Sequence, residues 1–121
     1  MSKIVCNSVE FVLKVEIDKM NPGEAPILKD GKEWKKINVA EKPVYQSNIK
    51  QNDAGPTNEE TVIVKLKHNE KTESLPYLYT ILRMSTDKEV FYIGNLEYPC
   101  SFEKTSDKIF DNYTFKAVSP A

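Results

Sequence analysis

The sequence predicts an all-β protein: an antiparallel sandwich or barrel of about seven to nine strands with one long polar loop. Three observations lead to this prediction. Apolar and polar residues alternate in several separate segments, turn-forming residues interrupt those segments, and no segment keeps an apolar period of 3.6 residues. The chain of 121 residues has the usual size of one domain, so residues 1–121 are expected to form a single all-β domain.

The N-terminal quarter of the chain predicts a strand and then a short hairpin. Alternate positions across residues 9–17 are apolar, as in a strand with one buried face: Val9, Phe11, Leu13, Val15 and Ile17. Farther along, Asp30 and Gly31 separate two extended runs. An Asp-Gly pair in that setting favours a type I′ turn, whose two central residues both need a positive φ.

The middle of the chain predicts the long loop. Residues 46–60 read QSNIKQNDAGPTNEE and contain a single large apolar side chain and an Ala-Gly-Pro break. We expect this loop to be the most mobile internal segment. After this loop, the alternation of Val62, Val64 and Leu66 predicts another strand. The alternation of Tyr113, Phe115 and Ala117 predicts a last strand near the C-terminus.

Residues 77–98 contain two apolar runs that flank a polar turn at Asp87 and Lys88. A two-residue turn there fixes an antiparallel register. The facing pairs that follow are Met84 with Phe91, Leu82 with Ile93, Arg83 with Tyr92, Ile81 with Gly94, Tyr79 with Leu96, and Tyr77 with Tyr98. Gly94 is expected to leave room for the branched side chain of Ile81.

This register gives the hairpin two apolar faces. We assign one face to the main core: Leu82, Met84, Phe91 and Ile93. The other is predicted to be an association interface: Tyr77, Tyr79, Ile81, Arg83, Tyr92 and Tyr98. A chain of this size has few layers with which to cover both faces, and arginine and tyrosine are enriched in interface hot spots. The alternative for Arg83, the only arginine, is a cation stacked on Tyr92 or Tyr79 at the sheet surface.

The residue types needed for catalysis or metal binding are scattered. His68 is the only histidine, and it lies in a polar segment far from Cys6 and Cys100. The acidic pairs lie in hydrated segments, and the four glycines are too dispersed to cradle a phosphate. The sequence therefore predicts no enzyme, no catalytic residue, no metal site and no cofactor. The two cysteines could pair if the fold brings them together, but we expect them to remain buried thiols.

Charge and hydropathy limit the partners. The formal net charge of −1 gives no field that would attract nucleic acid or an anionic membrane. One basic aromatic cluster, Trp34 among lysines, resembles the chemistry of single-strand binders. The alternative, which we favour, is that Trp34 packs inward. Because no apolar run has the length of a signal peptide core or a membrane span, we expect a cytoplasmic protein, virion-associated if it derives from a phage.

The last third of the chain, with YTILRMSTDKEVFYIGNLEYPCSF followed by FDNYTFKAV, resembles small β-rich structural proteins of tailed bacteriophages and prophages. The resemblance implies a non-enzymatic structural or assembly subunit, such as a tail or neck component, that associates with itself or with another structural protein. The alternative is a small β-barrel binding module whose aromatic face lines a site for a ligand or a peptide.

Overall fold

The structure is a computed structural model that describes residues 2–21, 24–51, 53, 55–67, 79–106 and 109–120. Within these ranges the chain forms eleven β-strands and a three-residue 3-10 helix, Lys14–Glu16. The strands are β1 (Ser2–Val5), β2 (Ser8–Leu13), β3 (Ile17–Lys19), β4 (Ile27–Leu28), β5 (Lys35–Lys36), β6 (Val44–Lys50), β7 (Thr57–Lys67), β8 (Thr80–Ser85), β9 (Val90–Ile93), β10 (Ser101–Ser106) and β11 (Phe110–Pro120).

The strands form two larger antiparallel sheets and a small one. The five-stranded sheet has the order β1-β6-β7-β11-β10, the four-stranded sheet has the order β5-β2-β8-β9, and β3 pairs with β4. The two larger sheets pack as a sandwich. The all-β class is therefore confirmed, and the sandwich is the correct one of the two predicted architectures. The structure has eleven described strands, whereas about seven to nine were predicted. The difference arises because β3, β4 and β5 are too short to show alternation in the sequence.

The chain passes between the two large sheets at its two cysteines. Cys6 lies between β1 and β2, and its N–H donates to the carbonyl of Pro43 over 2.8 Å. Cys100 exchanges two backbone hydrogen bonds with Thr80, of 3.0 and 2.8 Å, and β10 begins at the next residue. Both thiols are free and buried, and burial raises the pKa of each. These cysteines are therefore packed as small apolar groups at the corners of the sandwich.

The main core lies between the inner faces of the two sheets. The predicted strand around Val62 and Val64 is confirmed as part of β7, and both side chains are fully buried on its inner face. Tyr113 and Phe115 on β11 face the same core, and the ring of Phe102 on β10 lies 5.2 Å from that of Phe115. The alternation at the C-terminal end of the chain therefore predicted the correct buried face.

The prediction of a long loop over residues 46–60 is wrong. Both ends of this segment are strand: β6 extends to Lys50, and β7 begins at Thr57. The two strands pair in antiparallel register from Val44 opposite Ile63 to Lys50 opposite Thr57. Polar residues form strands here because the outer face of the sheet is open to water. On such a face, polar side chains form hydrogen bonds and ion pairs with neighbouring strands and do not pack into a core. The connection is thus confined to residues 51–56.

Two N-terminal expectations also need correction. The strand predicted over residues 9–17 ends at Leu13, because the carboxylate of Glu16 folds back and accepts the Leu13 N–H over 3.0 Å. Val15, in the intervening 3-10 turn, is 68% exposed. The Asp-Gly turn is not type I′, because only Gly31 has a positive φ, of 79°. Lys32 donates to the carbonyl of Lys29, and a single positive φ before the last residue is the signature of a type II turn.

A carboxylate on the outer face of the five-stranded sheet links three neighbouring strands. Glu59 on β7 contacts Lys50 on β6 and Lys116 on β11, with each N–O distance 3.1 Å. The two lysines lower the pKa of Glu59, Lys50 more than Lys116. Because the side chain is largely covered, this arrangement is better placed to contribute to stability than an isolated exposed pair.

We expect Glu59→Gln to lower the free energy of unfolding by about 1 kcal/mol at neutral pH. A lowered pKa in the folded state means that the unfolded chain binds a proton at higher pH, so this stabilisation is present above the ordinary pKa of 4.5 and disappears as the pH falls below it. Urea unfolding at a series of pH values measures the difference between the two proteins. Glu103→Gln, an exposed change on the same face, is the control. A difference for Glu59→Gln that is independent of pH would contradict the assignment.

The only helical segment in the described ranges is the 3-10 turn, so none of these residues forms a helix long and apolar enough to cross a membrane.

Candidate functional site

The hairpin of β8 and β9 has the predicted register over its whole ladder. Leu82 faces Ile93, Met84 faces Phe91, and Arg83 faces Tyr92. The turn is closed by a hydrogen bond of 2.9 Å from the Thr86 N–H to the carbonyl of Glu89. The predicted core face is also confirmed: Leu82, Met84 and Ile93 are fully buried, and Phe91 packs against the same cluster.

The predicted register fails beyond Ile93. Gly94 has a φ of 85°, and the chain turns away from β8. The Asn95 side chain then accepts the N–H groups of Glu97 and Tyr98 over 3.0 and 2.8 Å, and Cys100 returns to pair with Thr80. The predicted pairs of Ile81 with Gly94 and of Tyr79 with Leu96 are therefore wrong. The predicted pair of Tyr77 with Tyr98 cannot be compared, since Tyr77 lies outside the described residues.

Ile81 lies in a second, smaller core. Its side chain is fully buried with Val12 and Ile17, which belong to the same chain. Further apolar side chains pack against this cluster: Met20, Leu28, Trp34 and Leu96. The assignment of Ile81 to an association interface is therefore wrong. The segment between β2 and β5 covers this part of the outer face, so no partner is needed to bury it.

The side chain of Arg83 contacts two neighbours, Glu10 and Trp34. Its guanidinium donates two hydrogen bonds to Glu10, the cross-strand neighbour on β2, with Nε–Oε1 at 3.1 Å and Nη2–Oε2 at 2.7 Å. The guanidinium carbon also lies 4.7 Å from the ring centroid of Trp34. The ring centroid of Trp34 in turn lies 5.9 Å from that of Tyr92. Tyr92 faces Arg83 from β9, whereas Glu10 faces it from β2. We call Trp34, Arg83 and Tyr92, with Glu10, the aromatic–arginine face.

Tyr79 and Tyr98, the other described tyrosines of the predicted interface, are not part of this stack. Tyr79 precedes β8 and is 59% exposed, and its carbonyl accepts the Lys14 N–H. Tyr98 is partly exposed in the turn that follows β9. The structure thus pairs Arg83 with Tyr92, leaves Tyr79 and Tyr98 exposed or partly exposed outside the stack, and buries Ile81.

Two members of the site, Glu10 and Trp34, are absent from the predicted interface. Glu10 is a polar position in the alternating pattern of β2, so the pattern itself places it on the outer face with Arg83. Trp34 was expected to pack inward, and it is partly buried against the second core and over Arg83. These neighbours could not be predicted, because Trp34 comes from a separate segment of the chain. The expectation that Arg83 stacks on Tyr92 or Tyr79 differs from the observed stacking on Trp34.

The acidic residues are separated by the fold. Glu59 and Glu60 lie on opposite faces of β7, since Glu59 contacts lysines outside while Glu60 accepts a hydrogen bond of 2.7 Å from the Tyr45 hydroxyl. Burial and this carboxylate raise the pKa of Tyr45 to about 12. Asp111 is buried with Lys104 at 3.9 Å. In the described part of the chain, no three His, Cys, Asp or Glu residues cluster to hold a metal ion, and His68 lies outside that part.

Comparisons with protein-family models, with curated proteins and with solved structures find no match to this chain.

Proposed function

We propose that this protein is a non-enzymatic structural or assembly subunit, and that its aromatic–arginine face binds a second copy of itself or another structural protein. The single observation that carries the proposal is the fixed guanidinium of Arg83, stacked on Trp34 and bonded twice to Glu10. Tryptophan, tyrosine and arginine are the residue types that dominate interface energies.

A second property of this face that supports binding is that the side chain of Arg83 is held in place before a partner binds. An arginine that is free in solution loses side-chain entropy when a partner immobilises it. Arg83 is already immobilised by Glu10 and Trp34, although 29% of its side chain remains exposed. A partner that covers the remaining edge of the stack would therefore bind at a smaller entropic cost.

The sequence resemblance to small structural proteins of tailed phages agrees with this proposal and gives it a setting, a tail or neck assembly. Such assemblies contain many copies, so a modest pairwise affinity suffices when contacts are repeated. The second candidate, a β-barrel binding module, receives less support. The aromatic–arginine face lies on the outside of the four-stranded sheet, not around an internal cavity, and large apolar side chains fill the space between the sheets.

We expect Tyr92→Lys to weaken association by about 2 kcal/mol, a loss of roughly thirtyfold in affinity. The monomer should lose only about 1 kcal/mol, because Tyr92 is partly exposed and gives up little more than its contact with Trp34. Light scattering over a range of concentrations reports mass, and thermal unfolding of the same sample reports stability.

Val118→Lys is the matched control, since it places the same charge on the outer face of the other sheet. It should leave association unchanged. Two results would contradict the proposal: equal weakening by both variants, or a wild-type protein that stays monomeric at every concentration while Tyr92→Lys unfolds it.

A further inference from the structure

The backbone of β9 exposes hydrogen-bonding groups at alternate residues. In an antiparallel ladder, every second facing pair is hydrogen-bonded. The bond from Thr86 to Glu89 makes that pair a bonded one, so Phe91 and Ile93 direct their N–H and C=O groups toward β8. The N–H and C=O groups of Val90 and Tyr92 therefore point away from β8, toward the outer edge of the four-stranded sheet.

No other described strand pairs with that edge. An unpaired edge is a template for another strand, and natural proteins usually protect such edges with charged side chains. The other edges of the two large sheets have this protection: β1 contains Lys3, β5 consists of Lys35 and Lys36, and β10 contains Glu103 and Lys104. β9, with the sequence VFYI, has no charged residue.

A second copy of the chain fits this edge by symmetry. When two β9 strands pair antiparallel about a two-fold axis through Phe91, Val90 of each copy faces Tyr92 of the other. Val90, which is 54% exposed, and Tyr92 lie on the same outer face, so the contact is an aromatic side chain against a β-branched one, formed twice. The outward N–H and C=O groups of Val90 and Tyr92 then bond to each other across the axis.

We propose that β9 pairs edge to edge with β9 of a second copy, joining the two four-stranded sheets into one continuous sheet. This inference rests on the proposed function, because it names the partner of the aromatic–arginine face and the way in which that partner binds. Tyr92 belongs to both, since its ring contacts Trp34 of its own chain and its backbone faces the partner.

Amide hydrogen exchange measured by NMR at low and high protein concentration tests the pairing directly. The amides of Phe91 and Ile93 bond to β8 and should be protected at both concentrations. The amides of Val90 and Tyr92 should exchange freely in the dilute protein and slow at least tenfold in the concentrated one. Unchanged exchange at Val90 and Tyr92 in a sample that light scattering shows to be dimeric would overturn the edge pairing while leaving the aromatic–arginine face as the contact.

Val90→Pro gives an independent test. Proline has no backbone N–H, so it removes the outward N–H of Val90 but leaves the hydrogen bonds between β9 and β8 intact. We expect the variant to be monomeric at concentrations where the wild type and Val90→Thr, which keeps the N–H and the branched side chain, form dimers. If Val90→Pro lowers the thermal midpoint, Val90→Lys, which places a charge opposite the partner's Tyr92, replaces it. Dimers of Val90→Lys equal to wild type would overturn the inference. A wild type that is monomeric throughout would overturn both it and self-association.

Discussion

Replacing Ile81 with lysine is expected to lower the free energy of unfolding by roughly 4 kcal/mol or more, the largest effect that we expect for any single change considered. Ile81 is fully buried between Val12 and Ile17. Lysine at this position would bring a charge into a cluster of apolar side chains. Equilibrium unfolding in urea measures the loss.

The chain offers a matched control for this change. Ile63 lies on the outer face of the five-stranded sheet and is 44% exposed, so Ile63→Lys should cost no more than about 1 kcal/mol. If Ile81→Lys does not fold, Ile81→Val should still lose about 1 kcal/mol, as expected of a buried methylene group. Equal losses for the two lysine variants would contradict the second core and would restore Ile81 to the surface.

The hairpin of β8 and β9 could be predicted in detail because its information is local. A short turn at Asp87 and Lys88 sets the register, and the alternation of apolar residues then sets the faces. The same reasoning found the inward residues of β7 and β11. In each case, neighbours within a few positions in sequence determine which side chain is buried, so one sequence suffices.

The second core could not be predicted, because its apolar residues follow no period. Ile17, Met20, Leu28 and Trp34 are spread over a segment rich in turns and charges, and only their packing on β2 and β8 makes them neighbours. Without that cover, Ile81 appeared to belong to an open face. The site was therefore half predictable: Arg83 and Tyr92 were identified, but the residues that fix and cover them come from elsewhere in the chain.

The loop predicted over residues 46–60 failed for a related reason. Polarity indicated an irregular segment, but strands on the open face of a sheet need no apolar alternation when cross-strand partners satisfy their side chains. Lys50 and Glu59 form such a pair, and Lys116 on β11 completes it. The Lys50–Glu59 contact forms only when the two strands pair, and Lys116 lies outside the segment, so the apolar pattern of the segment does not reveal these contacts.

The end of the β8–β9 ladder depends on Gly94, and we expect Gly94→Ala to lower the free energy of unfolding by about 3 kcal/mol. Two costs add. An alanine at a φ of 85° is strained by about 1–2 kcal/mol. Its Cβ would also lie 3.1 Å from the Cys100 Sγ and 3.2 Å from the Cys100 backbone nitrogen. Cys100 is fully buried and bonded to Thr80, so it can give way only by disturbing the corner of the sandwich, at a further cost of about 1–2 kcal/mol.

Gly31→Ala separates the two costs. Gly31 has nearly the same φ, 79°, but a Cβ there would meet no atom within 4 Å. It should therefore lose only the strain of the backbone, about 1–2 kcal/mol, because nothing opposes the added methyl group. Urea unfolding of both variants against wild type measures the difference. Equal losses at the two glycines would mean that the close approach of Gly94 to Cys100 contributes nothing, and that the turn after β9 is set by backbone conformation alone.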